Sequence, residues 1–356
     1  MNWSLDGFDI TTITSQTDTE STRITDVDLT QFWYFNTTRP EEMDILTQEV
    51  RFTSTTDSNL QWIFGAYMSD YERMMDSFLT FGPDALGLGF VFAMPFEKIV
   101  EENTHNALFG NVSYEVDQWR YDIGLRYDKW EETELNLDAE TNGGIHSGKI
   151  DDTETLPRVS ITRTLDNGSI AYFTTSRGYE PGGLNNGVPY TDSNGNRLLG
   201  SFNKEEATQN ELGWKGTIRD GRTSISVAYF DIDYQDRAFQ VVAPNPGGPG
   251  LIEYVTNIGD SEQNGLEFEI TTKATDNLTL SIAAGWVDSE FSKGTVLADG
   301  TDLSGLTPSG TIDNGFLIGA DYATTLSNGT DFTLSAQWSH TGQGIGMPVV
   351  GALKNP

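Results

Sequence analysis

Cysteine is absent from this chain of 356 residues, which excludes a disulfide framework, thiolate metal sites and a cysteine nucleophile together. Positive charge is scarce: Lys and Arg total 21 against 53 Asp and Glu, a formal net charge of −32. With no basic cluster anywhere, a nucleic-acid backbone is excluded as a partner, and cationic or neutral ligands are favoured. Long apolar runs are missing as well. Without about 18 consecutive apolar residues no transmembrane helix can form. Met1-Asn2-Trp3-Ser4-Leu5-Asp6-Gly7 passes directly into strand-like sequence, so no secretory leader is read here. No segment sustains a helical period.

What is present is alternation. From Trp119 the chain reads W-R-Y-D-I-G-L-R-Y-D-K-W, with Trp119, Tyr121, Ile123, Leu125 and Tyr127 on one side and Arg120, Asp122, Gly124, Arg126 and Asp128 on the other. A period of two with one apolar and one polar face is a half-buried strand. The pattern recurs at Leu60 to Ala66, Leu278 to Trp286 and Phe332 to Trp338. Tight-turn signals separate such runs: Thr56-Asp57-Ser58-Asn59, Val116-Asp117-Gln118, Asp166-Asn167-Gly168, Arg219-Asp220-Gly221-Arg222, Thr275-Asp276-Asn277 and Ser327-Asn328-Gly329-Thr330. Asn-Gly and Asp-Gly supply the positive φ that hairpins need.

The other connections are long by the same reading: Tyr71 to Asn103, Trp130 to Thr153, Tyr179 to Glu205 and Phe291 to Ile312 are each read as long loops. About thirteen strands are expected, centred near residues 12, 50, 65, 110, 125, 160, 173, 212, 229, 266, 284, 319 and 336. Short turns on one rim, long loops on the other and aromatics near strand ends (Trp119, Trp130, Tyr229, Trp286, Trp338) predict an all-β, antiparallel up-and-down transmembrane β-barrel.

The segment Tyr172-Phe173-Thr174-Thr175-Ser176-Arg177-Gly178-Tyr179-Glu180-Pro181-Gly182-Gly183-Leu184-Asn185 resembles the S-[KR]-G-[FY]-x-P-G-G-[FL]-N stretch of TonB-dependent outer-membrane receptors. Glu205 to Lys215 resembles that family's P-E-x-x-x-x-Y-E-[LV]-G-x-K strand, with Lys204 in place of the usual proline and Asn210 in place of the aromatic. Val227 to Tyr234, Asn257 to Glu269 and Thr47 to Phe52 resemble three further family strands, and all five segments keep the family's order across residues 47–269. The resemblance implies a barrel of roughly 22 strands closed around a plug, of which residues 1–356 would be an internal part lacking signal peptide, TonB box, plug and closing strands. It implies uptake of a scarce nutrient such as an iron–siderophore complex across the outer membrane of a Gram-negative bacterium, with outer-membrane lipid around the barrel and the TonB complex engaged only through the missing plug.

No enzyme activity, cofactor or resident metal is expected. His105, His146 and His340 lie far apart in sequence and are read as surface or rim residues. Asp192-Ser193-Asn194-Gly195-Asn196 departs from a calcium loop in its glycine position, and Gly247-Gly248-Pro249-Gly250 lacks the strand-to-helix setting of a phosphate cradle. Phe32-Trp33-Tyr34-Phe35 beside Arg39 is placed in an outer loop, with Met74, Met75 and Phe78 to Phe81 in the next, as a stacking surface for a ligand. The candidate ligand-binding residues are Phe32, Trp33, Tyr34, Arg39, Arg177, Tyr179 and Asn185. A passive porin-like barrel and a soluble all-β glycan-binding protein are the alternatives.

Overall fold

The computed structural model describes residues 1–26, 31–87, 89–138, 144–191, 197–244, 251–297 and 300–344. Its strands are β1 (Asn2–Leu5), β2 (Phe8–Asp26), β3 (Phe35–Ser54), β4 (Leu60–Phe81), β5 (Phe92–Val116), β6 (Trp119–Asp138), β7 (Gly144–Thr164) and β8 (Ile170–Glu180). They continue as β9 (Gly183–Thr191), β10 (Arg197–Phe202), β11 (Glu205–Ile218), β12 (Thr223–Pro244), β13 (Leu251–Lys273), β14 (Leu278–Phe291), β15 (Asn314–Thr325) and β16 (Asp331–Thr341). One antiparallel sheet runs in chain order from β1 to β8 and on from β11 to β16, with β9 and β10 as a hairpin off that path. All thirteen expected strand centres fall inside strands, and the one unforeseen strand of the main path is β1, a four-residue strand paired with Phe8–Thr11.

Every expected tight turn joins two neighbouring strands of the sheet. Asp117, Arg219 and Asp220 take positive φ there, as do Gly168, Gly221 and Gly329. Asp tolerates this region because its short side chain bonds locally, and Gly because it has no Cβ.

The opposite rim differs from expectation. Tyr71 faces Asn103 and Lys129 faces Thr153 directly across ladders. The strands simply continue, to Phe81↔Phe92 and to Asp138↔Gly144. Met74, Met75 and Phe78 to Phe81 therefore belong to β4 and not to a loop. A membrane crossing takes about 9–11 strand residues, whereas β4, β5 and β13 have 22, 25 and 23. The surplus projects beyond the crossing as a sheet, satisfying backbone groups that a loop of that length would leave to solvent. Tyr179 to Glu205 holds the β9–β10 hairpin, whereas 292–313, among its described residues, joins β14 to β15 without a named strand and is anchored by the small cluster Ile258, Phe291, Leu297 and Leu303 with Phe239 against it.

Alternation sets the two faces. On β6, Tyr121, Ile123, Leu125 and Tyr127 are exposed, while Asp122, Gly124 and Arg126 are half-buried and Asp128 is buried. The same outward apolar face continues through Leu108, Phe173, Leu212, Tyr229, Leu266, Ile282, Trp286, Ile318, Leu334 and Trp338, all exposed. A single sheet with its apolar face outside and its polar face covered inverts the soluble rule and fits a barrel wall. The sheet is concave toward the polar side: the β9–β10 hairpin packs on both β7 and β13, four strand positions apart. Trp130 differs from its expected girdle place, because it shares the inner face with Asp128 and Glu132, one register step from outward Lys129 and Glu131.

Candidate functional site

The polar groups of interest gather on the concave face beyond the outward apolar stripe, in two groups. The first lies at the tip of β2 to β5. Phe35 pairs with Phe81, and Phe81 with Phe92, giving a row of three rings across three strands. Phe81 and Phe92 stack at 4.7 Å, and Phe35 lies 6.4 Å from Phe81. Phe32 and Tyr34 are 5.8 Å apart in the connection before β3. Trp33 seats on Gly82, where a Cβ would run into the indole, and the Trp33 backbone N–H donates to Asp84 Oδ2 at 2.9 Å. Phe32 and Trp33 remain exposed, as does Phe90, 6.0 Å from Phe92. Arg39 follows Phe35 at alternate positions on β3, and its buried Nε has no hydrogen-bond partner among the described residues.

The second group surrounds the stretch from Ser176 to Asn185. Arg177 pairs with Glu206 and lies 3.7 Å from Glu154; Lys204 pairs with Glu154 and, at 2.9 Å, with Glu206. Two cations and two carboxylates thus tie β7, β8 and β11 together at the base of the hairpin. Burial alone would raise the Glu206 carboxyl, but hydrogen bonds from Lys204 and Arg177 and with Glu154 outweigh it and hold it below the usual range. Burial also pushes the Tyr179 phenol up to about 12, with Asp128 and Asp152 adding to it. Asn185 is buried, and its amide both donates to Val255 O at 2.8 Å and accepts from Val255 N at 2.7 Å. That pair of bonds mimics a ladder step and fixes the hairpin to β13. The sequence therefore named two sets of residues that the fold keeps apart: Phe32, Trp33, Tyr34 and Arg39 at one tip, Arg177, Tyr179 and Asn185 at the other.

Between the sets lies a charged inner wall that the sequence reading did not single out. Arg126 binds Asp128 through Nε and Nη2, both at 2.8 Å, and His105 Nε2 meets Asp128 Oδ1 at 2.5 Å. Farther along, Arg73 pairs with Glu101 at 2.9 Å and lies 3.6 Å from Glu41. Glu101 faces Glu134 across the ladder. His146 is buried opposite Asn136, and His105 is half-buried, so neither is the surface residue expected; His340 stacks on Phe316 at 5.1 Å. The signal that could have found Glu132, Glu134 and Asn136 is phase, since they continue the inward register of Asp122 to Asp128. Among the described residues no three His, Asp or Glu side chains converge as a metal site. The calcium-like loop at Asp192 and the glycine run at Gly247 lie outside the described residues.

Comparison with known proteins matches this architecture. The family model for the TonB-dependent receptor-like β-barrel covers residues 1–349. A probable TonB-dependent siderophore receptor, PiuA, of Acinetobacter baumannii is 27% identical over 202 residues, 56% of this chain and 26% of that protein. The ferrioxamine B receptor of Salmonella typhimurium is 25% identical over 179 residues, 50% of this chain and 22% of that protein. The matched segments thus span about a quarter of the length of these relatives. Among solved structures, the ferric yersiniabactin uptake receptor FyuA of Yersinia pestis superposes with a TM-score of 0.70 at 16% identity, over 95% of this chain and 48% of that one. The two-faced sheet, its turn-to-strand asymmetry and a family match over nearly the whole chain agree: this protein belongs to the TonB-dependent receptor-like β-barrel family.

Proposed function

We propose that the chain is the barrel part of a longer outer-membrane receptor that captures a scarce nutrient, such as a ferric siderophore, and passes it inward by transport and not by catalysis. The family match over residues 1–349 carries this reading, and the outward apolar face, which a soluble glycan-binding protein would not need, supports it. Outer-membrane lipid would contact that face, and the TonB complex would act through a plug elsewhere in the receptor. The relatives' names point to iron chelates: a ferrioxamine B receptor and a siderophore receptor.

Within this reading the aromatic tip is the first ligand contact. Phe32, Trp33 and Tyr34, backed by the Phe35–Phe81–Phe92 row, offer flat apolar surface at little entropic cost, and Arg39 adds a cation for a chelate's anionic oxygens. Arg177 and Tyr179 stand deeper, at the hairpin base. The test is equilibrium binding of radio-iron citrate, a catecholate chelate and ferrioxamine B to receptor-bearing membranes. For the chelate that binds, Trp33→Ala with Tyr34→Ala is expected to weaken affinity by about 10-fold or more, with Trp3→Ala on β1 unchanged. No binding of any iron chelate would remove the substrate class, and unaltered affinity in the double variant would remove the aromatic tip from the site.

A further inference from the structure

The outward face of β3 to β6 is unevenly filled where the apolar stripe ends. Val50, Ala66, Leu108 and Tyr127 form one row across the four strands, each the ladder partner of the next. One step toward the long-strand rim, Gln48, Met68, Asn106 and Lys129 form the next row in the same way. A groove of about 430 Å³ is lined by both rows. Ala66 accounts for the space, because a methyl group stands exposed there between larger neighbours. One row below, Phe64 leans over Gly110 and fills the equivalent gap.

Lys129 is exposed and, among the described residues, makes no ion pair. The next outward residue of β6, Glu131, is bound to Lys149 at 2.8 Å, and Asp70 stands on that further row on β4. The same boundary on β12 to β14 is built differently. There the row Tyr229, Leu266 and Trp286 is followed toward the rim by Asp231, Asn264 and Asp288. Two carboxylates repel an anion, whereas the cation and two amides at β3 to β6 can donate to one. A lysine at such an edge lays its methylenes along apolar surface and keeps its charge at head-group level.

We propose that this groove is a binding site for one anionic phosphate-bearing lipid of the outer leaflet. An acyl chain lies along Ala66, the phosphate meets Lys129, and Gln48 and Asn106 donate to the head group. The site rests on the reading of the apolar face as the lipid-facing side of an outer-membrane wall, and adds to it a fixed lipid at one place on the perimeter.

The probes are dioleoyl phosphatidylglycerol and dioleoyl phosphatidylcholine, which share their chains and differ in head-group charge. Each is titrated into the full-length receptor in detergent, and bound lipid is counted by native mass spectrometry. One phosphatidylglycerol should bind about fivefold more tightly than phosphatidylcholine, the effect of a single lysine at a membrane surface. Lys129→Gln should remove that preference and leave phosphatidylcholine binding unchanged. Ala66→Phe, which fills the groove, should weaken both lipids by about fivefold or more. Arg163→Gln removes an outward cation 5.3 Å from the Trp119 ring at the opposite edge of the stripe, and should leave the preference as it was. Glycerol phosphate, the head without chains, should not displace the lipid.

Equal binding of the two lipids by the parent overturns the site and leaves the lipid-facing wall standing; retention of neither lipid removes both. A preference that survives Lys129→Gln, or one that is lost with Arg163, also overturns it, and displacement by glycerol phosphate would make the groove an anion site and end the lipid assignment. Should Ala66→Phe fail to insert, Lys129→Gln decides alone.

Discussion

The two halves of β6 obey different rules. From Trp119 to Asp128 the outward positions are apolar and the inward ones polar, so the contrast between faces is large. From Lys129 to Asn136 the outward positions are Lys129, Glu131, Thr133 and Leu135, while the inward ones are Trp130, Glu132, Glu134 and Asn136. Polarity is then nearly equal on both sides although burial is not: Thr133 is exposed and Glu134 buried. The lower half is shaped by a solvent change outside the wall, the upper half by what the wall folds over on its inside. An apolar surround makes its demand in hydrophobicity, which composition records; an inner covering makes its demand in geometry and charge pairing, which it does not.

The sharpest way to break this comparison is to put the same charge on each half. Leu125→Arg, in the apolar stripe, should cost about 2–4 kcal/mol of insertion stability, whereas Thr133→Arg, on the same face of the same strand, should stay within about 0.5 kcal/mol. Urea titration of each variant in lipid vesicles measures both. Equal costs would mean that the stripe does not meet lipid.

A smaller effect should come from the inner wall where the halves meet. Asp128→Ala leaves Arg126 and His105 without their shared carboxylate, at about 2–3 kcal/mol, less than for a fully buried pair because both partners keep some solvent. Adding His105→Ala to it should recover part of that loss, which the same titration resolves in a double-mutant cycle.

Smaller again is the test of close packing within the sheet. Phe230 lies over Gly265, so Gly265→Val drives a side chain into that ring and should cost about 1–3 kcal/mol. Gly285, on the neighbouring strand β14 and paired with Glu267, has open space above it, and Gly285→Ala should change stability by less than about 0.5 kcal/mol. Similar losses at both would show that strand conformation, and not the ring, sets the cost.

The same contrast explains how much could be read in advance. Strand order, all six tight turns and the stripe from Trp119 to Tyr127 were legible, because turn chemistry and the period of two are local signals. The continuation of β4 and β5 past Tyr71 and Asn103 was not: once outward residues turn polar, a strand and a loop have the same composition. Trp130 was placed outside for that reason, one residue beyond the point where phase could still be followed. The aromatic run at Phe32 was legible as a cluster, but its partners Phe81 and Phe92 depend on register some 50 residues away. Nor does any local pattern announce that Leu184 comes to rest on Gly148, since that contact depends on the curvature of five strands. Asn185 shows the limit of motif reasoning, for its amide is committed to Val255.

The central claim is that this sheet is a wall with lipid on one side along its lower half only. It is tested most directly by a single-cysteine scan of residues 119–135 in vesicles, each position spin-labelled and exposed in turn to oxygen and to a water-soluble nickel chelate. The account predicts high oxygen access at 119, 121, 123, 125 and 127, low access at the even positions between, and a switch to chelate access at 129, 131 and 133. Uniform chelate access at the odd positions from 119 to 127, or oxygen access with no alternation, would contradict it.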